Sequence, residues 1–175
     1  MLKSSAIKYA IMFVLLVLLQ VLVLNRISFL GYAVPFGYIY FIIKLPVGSN
    51  RSLTTFLGFL IGLSIDIFCS TPGINAAATT LIGFMCKPVQ GLFFIRDDYN
   101  DQTPSFRVLG IAFMKYAILL TLIHHIVLIS IESFSYFNIQ LVLLRILLST
   151  ILTSVLIFAF EGFSTKKKNS WQKTT

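Results

Sequence analysis

The stretch Ser52 to Asn75, SLTTFLGFLIGLSIDIFCSTPGIN, sets Gly58, Gly62 and Asp66 four residues apart in an apolar run that breaks at Ser70-Thr71-Pro72-Gly73. On a helix each four-residue step drifts by only about 40°, so the three positions share one stripe. Two of them have no side chain and admit a neighbouring helix at close range, while the third is a carboxylate that has no place against lipid. The stripe must therefore face protein.

Lipid is the relevant surrounding because 57% of the 175 residues are hydrophobic and 11% are charged. Soluble chains average roughly 45–50% apolar and about 25% charged, and a soluble core of this size has no room for the excess. The fold class expected is an all-α integral membrane protein. A net charge of +8 raises the question of nucleic acid, but the basic residues stand singly at the ends of apolar runs, without the aromatic platforms of a nucleic-acid surface. That placement is the orientation code of membrane proteins. Cys69 and Cys86 fall at opposite ends of neighbouring helices and imply neither a disulfide nor a thiolate metal site.

Six spans follow along the chain, over about 6–24, 31–43, 52–68, 75–95, 108–131 and 141–160, within a membrane domain of residues 1–163. The first is longer than a signal-peptide core, no Ala-x-Ala site follows it, and it is read as retained. The second is short or partial and aromatic, with Tyr32, Tyr38 and Tyr40 suited to a membrane interface. The fourth either continues through a kink at Pro88 or stops short, leaving Val89 to Ile95 along the surface. Arg96 to Arg107 reads as a solvent loop, and residues 164–175 as a basic, disordered cytoplasmic tail. Ala6 and Ala10 repeat the small-residue spacing on the first span, a pattern too common to carry weight alone.

Counting Lys and Arg in alternate connections orients the chain. One side collects Lys3, Lys8, Lys44, Arg51, Lys87, Arg96, Arg107, Lys166, Lys167, Lys168 and Lys173; the other holds Arg26. Both termini are expected in the cytoplasm.

In that topology Asp66, His124, His125, Glu132 and Arg145 all lie in the outer half of the membrane. Intramembrane charge is costly enough to favour a buried network, with Arg145 between Asp66 and Glu132, over separate snorkelling to headgroups. Adjacent histidines point about 100° apart on a helix, so His124 and His125 suit hydrogen bonding in a bundle better than metal binding. No metal, cofactor or catalytic set is expected, since no His-Glu-x-x-His, nucleophile elbow or phosphate loop occurs and Asp66 lacks a second carboxylate on its helix.

The stretch GFLIGLSIDIFCSTPGINAAATTLIGF resembles the corresponding region of the rod-shape-determining membrane protein MreD family, where a glycine-bearing helix leads to an Asp, a Pro/Gly turn and an Ala-rich helix. The likeness is best over Phe56 to Phe84, and Lys87-Pro88, His124-His125, Glu132 and Arg145 agree with one branch of that family. It implies a multi-pass protein of the bacterial cytoplasmic (inner) membrane, acting as a non-enzymatic scaffold of cell-wall elongation. The implied partners are the single-span protein MreC and, indirectly, MreB, RodA and penicillin-binding protein 2. The implied fold is similar to the six-helix substrate-binding subunits of energy-coupling-factor vitamin transporters, so a small-solute binding subunit is the alternative. A lipid-handling enzyme ranks last.

Overall fold

The computed structural model describes residues 2–27, 33–94, 102–134 and 138–171, with side chains described between residues 6 and 163 of those ranges. The first residues of the expected second span, the last of the fourth and the first half of the Arg96–Arg107 loop lie outside them. The chain is helical: α1 (Leu2–Leu22) with a 3-10 turn at Leu24–Arg26, α2 (Ile39–Ile43), α3 (Arg51–Cys69), α4 (Ile74–Phe93), α5 (Phe106–Leu109), α6 (Ile111–Glu132) and α7 (Ile139–Trp171). Four helical stretches, 6–26, 51–69, 111–132 and 139–163, are long and apolar enough to cross a membrane, with mean hydropathies of 2.6, 1.8, 1.9 and 2.4.

The two remaining expected spans differ from these four for separate reasons. α4 has 20 residues and a rise of about 30 Å, but it carries Asn75, Thr79, Thr80, Lys87 and Gln90. It continues through Pro88, which resolves the sequence alternatives in favour of one long helix. Pro88 cannot donate to the carbonyl of Phe84. Arg51 does so instead, through Nε at 3.3 Å, and its guanidinium lies 3.5 Å from the Phe84 ring centre.

The expected second span is mostly not a helix. Residues 33–38 precede α2, which is only five residues long, and Tyr38, Ile39, Phe41, Ile42 and Ile43 are completely or almost completely buried. Tyr38 and Tyr40 thus sit inside the bundle and not at a headgroup interface, a correction to the sequence reading; Tyr32 lies outside the described residues. Around this inserted segment close Ile61, Ile65, Ile82, Phe113, Tyr116, Leu120 and Ile157. The last helix also exceeds its expected end, running on through Lys166–Lys168 to Trp171 where a disordered tail was expected.

Contacts give the direction of each segment. Tyr9 meets Thr103, Lys44 meets Pro104 and Glu161, and Lys87 meets the carbonyl of Val47, marking one end of the bundle. Asn25 with Cys69, Asp66 with Asn75, and Glu132 with Arg145 mark the other. Between Tyr38, bonded to Asn75, and Val47, bonded to Lys87, the inserted segment runs alongside α4 from one end towards the other.

The closest approach is between α3 and α4. A Cβ built on Gly58 would lie 2.5 Å from the carbonyl oxygen of Thr79; one on Gly62, 2.6 Å from Ala76 Cα; and one on Gly83 of the opposite helix, 2.6 Å from the carbonyl oxygen of Thr54. These obstacles are backbone atoms, which cannot swing aside. Gly62→Val should lower unfolding stability in micelles by about 1–3 kcal/mol or more through forced separation of the helices. Gly91→Ala, whose new methyl meets nothing within 4 Å, should change it by less than about 1 kcal/mol. Denaturation midpoints of the two variants compare them directly.

Candidate functional site

Asp66 is the hub of a buried polar spine at the far end of α3. The helix closes in a left-handed residue, Ser70 (φ 55°), and the chain turns through Gly73, also left-handed at φ 78°. Gly73 is the N-cap of α4 and offers no side chain to the unpaired N–H groups of that helix. Asp66 supplies the missing acceptors from the preceding helix. Its Oδ1 accepts from the Asn75 backbone N–H at 3.1 Å and its Oδ2 from that of Ala76 at 2.7 Å. Oδ1 also accepts from Asn75 Nδ2 at 2.9 Å and from the hydroxyl of Thr71. A carboxylate at a helix N-terminus is stabilised by the hydrogen bonds and by the helix dipole together. That environment explains how an acidic side chain only 3% exposed is accommodated in an apolar run.

The spine continues into the inserted segment. Because Asn75 Nδ2 donates to Asp66, Asn75 Oδ1 is the acceptor, and Tyr38 donates to it at 2.7 Å. The Tyr38 oxygen is then left to accept from His124 Nε2 at 3.1 Å. One residue along, Phe36 N–H donates to Thr153 Oγ1 at 3.0 Å, and that hydroxyl stands 3.4 Å from His125 Nε2. His125 Nδ1 lies 2.7 Å from the Thr121 carbonyl and donates to it. Gln20 of α1, completely buried, completes the arrangement by accepting from Gly37 N–H at 2.8 Å and donating to the Pro35 carbonyl at 3.1 Å. The irregular backbone of 35–37 is thus hydrogen-bonded from α1 and α7, and Tyr38 beside it from α4 and α6.

A second cluster holds the other end. Glu161 Oε2 accepts from Lys44 Nζ at 3.0 Å and from Tyr40 at 2.9 Å, and Oε1 from the backbone N–H of Phe106 at 3.1 Å. Lys44 Nζ also donates to the Pro104 carbonyl at 2.6 Å. The two side chains are 11% and 6% exposed, so this ion pair is shielded from solvent screening and tied to two further segments.

Arg145 and Glu132 do pair, at 2.7 Å, but their side chains are 26% and 46% exposed, and Asp66 takes no part. The expected three-member network is therefore divided. Asp66 binds the start of α4, the histidines bind the inserted segment and the last helix, and Arg145–Glu132 clips the α6–α7 hairpin at its rim. Gly58 and Gly62 lie directly beneath Asp66 in the α3–α4 contact. Sequence reasoning passed over Gln20, Tyr38, Asn75, Thr153, Lys44 and Glu161 as structural ties. Gln20 carried a usable signal, being the only strongly polar side chain between Tyr9 and Leu24. Glu161 stood just past the expected end of the last span.

Asp66→Ala should cost about 3 kcal/mol, because it orphans two helix N–H groups along with Thr71 and Asn75. In double-mutant cycles Asp66 should couple to Asn75 by at least about 1 kcal/mol and to Arg145 by less than about 0.5 kcal/mol. Lys44→Met should cost about 3–5 kcal/mol by leaving Glu161 buried without its cation, and Lys44→Met with Glu161→Gln should lose less than the single change. No protein-family model matches the chain, and no curated protein or solved structure does.

Proposed function

We propose that this chain is a non-enzymatic membrane scaffold of the bacterial cell-wall elongation machinery that binds MreC and takes part in rod-shape determination. In this reading it crosses the inner membrane six times, with residues 33–47 as the second crossing and α4 as the fourth, and both termini are cytoplasmic. The observation that carries the proposal is the use to which the buried polar side chains are put. Asp66, Asn75, Tyr38, His124, Gln20, Lys44 and Glu161 are all engaged in joining one segment to another. A bundle stiffened from within, with large apolar side chains such as Ile67, Phe68, Ile151 and Val155 more than 60% exposed along its sides, is suited to holding partner helices.

The resemblance to MreD supports the same reading, because the stretch on which it rests contains Gly58, Gly62, Asp66, the Pro72-Gly73 turn and Asn75, the residues of the tightest helix pair and its cap. A small-solute subunit is the second reading. It is favoured by Thr121 Oγ1, His124 Nδ1, Thr150 Oγ1 and Ser154 Oγ, buried polar atoms on α6 and α7 without a protein partner.

Deleting the gene in a rod-shaped host should round the cells, and Gly62→Val should fail to restore them. Affinity purification of the tagged chain from native membranes should bring down MreC. Normal cell shape after deletion, or recovery of an ATPase module together with tight vitamin binding, refutes the scaffold reading.

A further inference from the structure

Arg51 is held in place at the Lys-rich end without an acidic partner among the described residues. Its Nε donates to the Phe84 carbonyl at 3.3 Å and its guanidinium lies 3.5 Å from the Phe84 ring centre, so α4 fixes the fork from two sides. Lys44 is engaged by Glu161 and Pro104, and Lys87 by the carbonyl of Val47. The two terminal nitrogens of Arg51, by contrast, have no partner among the described residues. A guanidinium so fixed is prepared for an oxyanion, because phosphate and carboxylate both accept two parallel N–H bonds from it.

Arg51 also lines a groove of about 460 Å³ on the surface of the α3–α4 pair. Beside it at the Lys-rich end is the exposed Ser52, whose hydroxyl has no partner among the described residues. Phe56 and Phe59 follow about 8 and 12 Å further along α3, and Phe84 and Thr80 line the groove from α4. The Thr55 and Thr80 hydroxyls donate to carbonyls of their own helices, those of Arg51 and Ala76. Free hydrogen-bonding capacity is thus confined to one end of the groove, and the remainder offers apolar contact.

That order, an anion site followed by an apolar track, is the order of a phospholipid. Arg51 begins a helix long and apolar enough to cross a membrane, and Phe56, Phe59 and Phe84 are 55%, 40% and 43% exposed beyond it. A polar solute finds partners only at Arg51 and Ser52. At the end of a crossing helix a lipid phosphodiester is already present at the depth of the guanidinium, whereas a partner's carboxylate has to be brought there and desolvated. Lipid is therefore the occupant that the location itself supplies.

We propose that Arg51 and Ser52 bind the phosphate of a membrane phospholipid, one acyl chain of which lies along Phe56 and Phe59. The site rests on the crossing of a bilayer by α3 and is independent of any role in cell shape, so its variants can lose lipid in cells of normal form.

Native mass spectrometry of the full-length protein released from micelles tests it. The probes are dioleoylphosphatidylglycerol, dioleoylglycerol, which has the same chains and no phosphate, and inorganic phosphate. The wild-type chain should retain the phospholipid about tenfold more strongly than dioleoylglycerol, and Arg51→Gln should remove most of that preference. Arg107→Gln, at an exposed position of the same end outside the groove, should leave it unchanged. Thr80→Phe fills the groove with Arg51 intact and should weaken phospholipid retention by about tenfold. If either groove variant does not fold, Thr55→Phe fills the space from α3. Equal retention of the two lipids by the wild type, undiminished phospholipid retention in the folded groove variants, or an equal loss in Arg107→Gln overturns the proposal. So does displacement of the lipid by inorganic phosphate at equal concentration, or a co-purifying polypeptide in place of lipid that Arg51→Gln releases.

Discussion

A backbone that leaves helical geometry inside an apolar bundle must draw its hydrogen-bond partners from protein, because neither lipid nor bulk water reaches it. Residues 33–38 impose that requirement here. Gln20 serves the backbone on both sides of Phe36, Thr153 serves Phe36 itself, and Tyr38 is held by Asn75 and His124. The long helices can be regarded as a casing for this segment. Gln20, Asn75, His124 and Thr153 are placed where the segment needs them, and the apolar faces of the helices close around Ile39 to Ile43.

The two ends of the casing are fastened by different chemistry. At the far end the attachment is a carboxylate on helix N–H groups, supported by an amide, a phenol and an imidazole. At the Lys-rich end it is a buried ion pair that also grips the backbone at Pro104 and Phe106. Between them α3 and α4 meet almost backbone to backbone, and this is possible only because Gly58, Gly62 and Gly83 face the contact. The fastening at the far end would not hold its register if that contact were loose, since Asp66 reaches Ala76 across the same interface.

The packing stripe was legible in the sequence because four-residue spacing on a helix is a local property that needs no knowledge of neighbours. The same holds for the long apolar helices α1, α3, α6 and α7. The partners of Asp66 were harder to read. Its charge suggested a cation such as Arg145, whereas the real partners are two peptide N–H groups nine and ten residues away, brought round by a turn whose geometry the sequence indicates only as Pro-Gly. The inserted segment was misplaced for a related reason. Tyrosines that flank an apolar run fit a membrane interface and a polar-lined core equally well, and residues 37 to 121 positions away decide between them.

That sequence separation has a consequence for biosynthesis. The groups that satisfy Phe36, Tyr40 and Lys44 lie on α7, 117 to 121 residues downstream. At synthesis rates of about 5–20 residues per second, the segment waits roughly 6–24 s between leaving the ribosome and meeting Thr153 and Glu161. During that interval Phe36 N–H and the Lys44 ammonium lack the α7 acceptors that they have in the finished bundle. The hydrogen bonding of the inserted segment can therefore be completed only after α7 has been made, so its packing finishes at the end of synthesis and not in chain order.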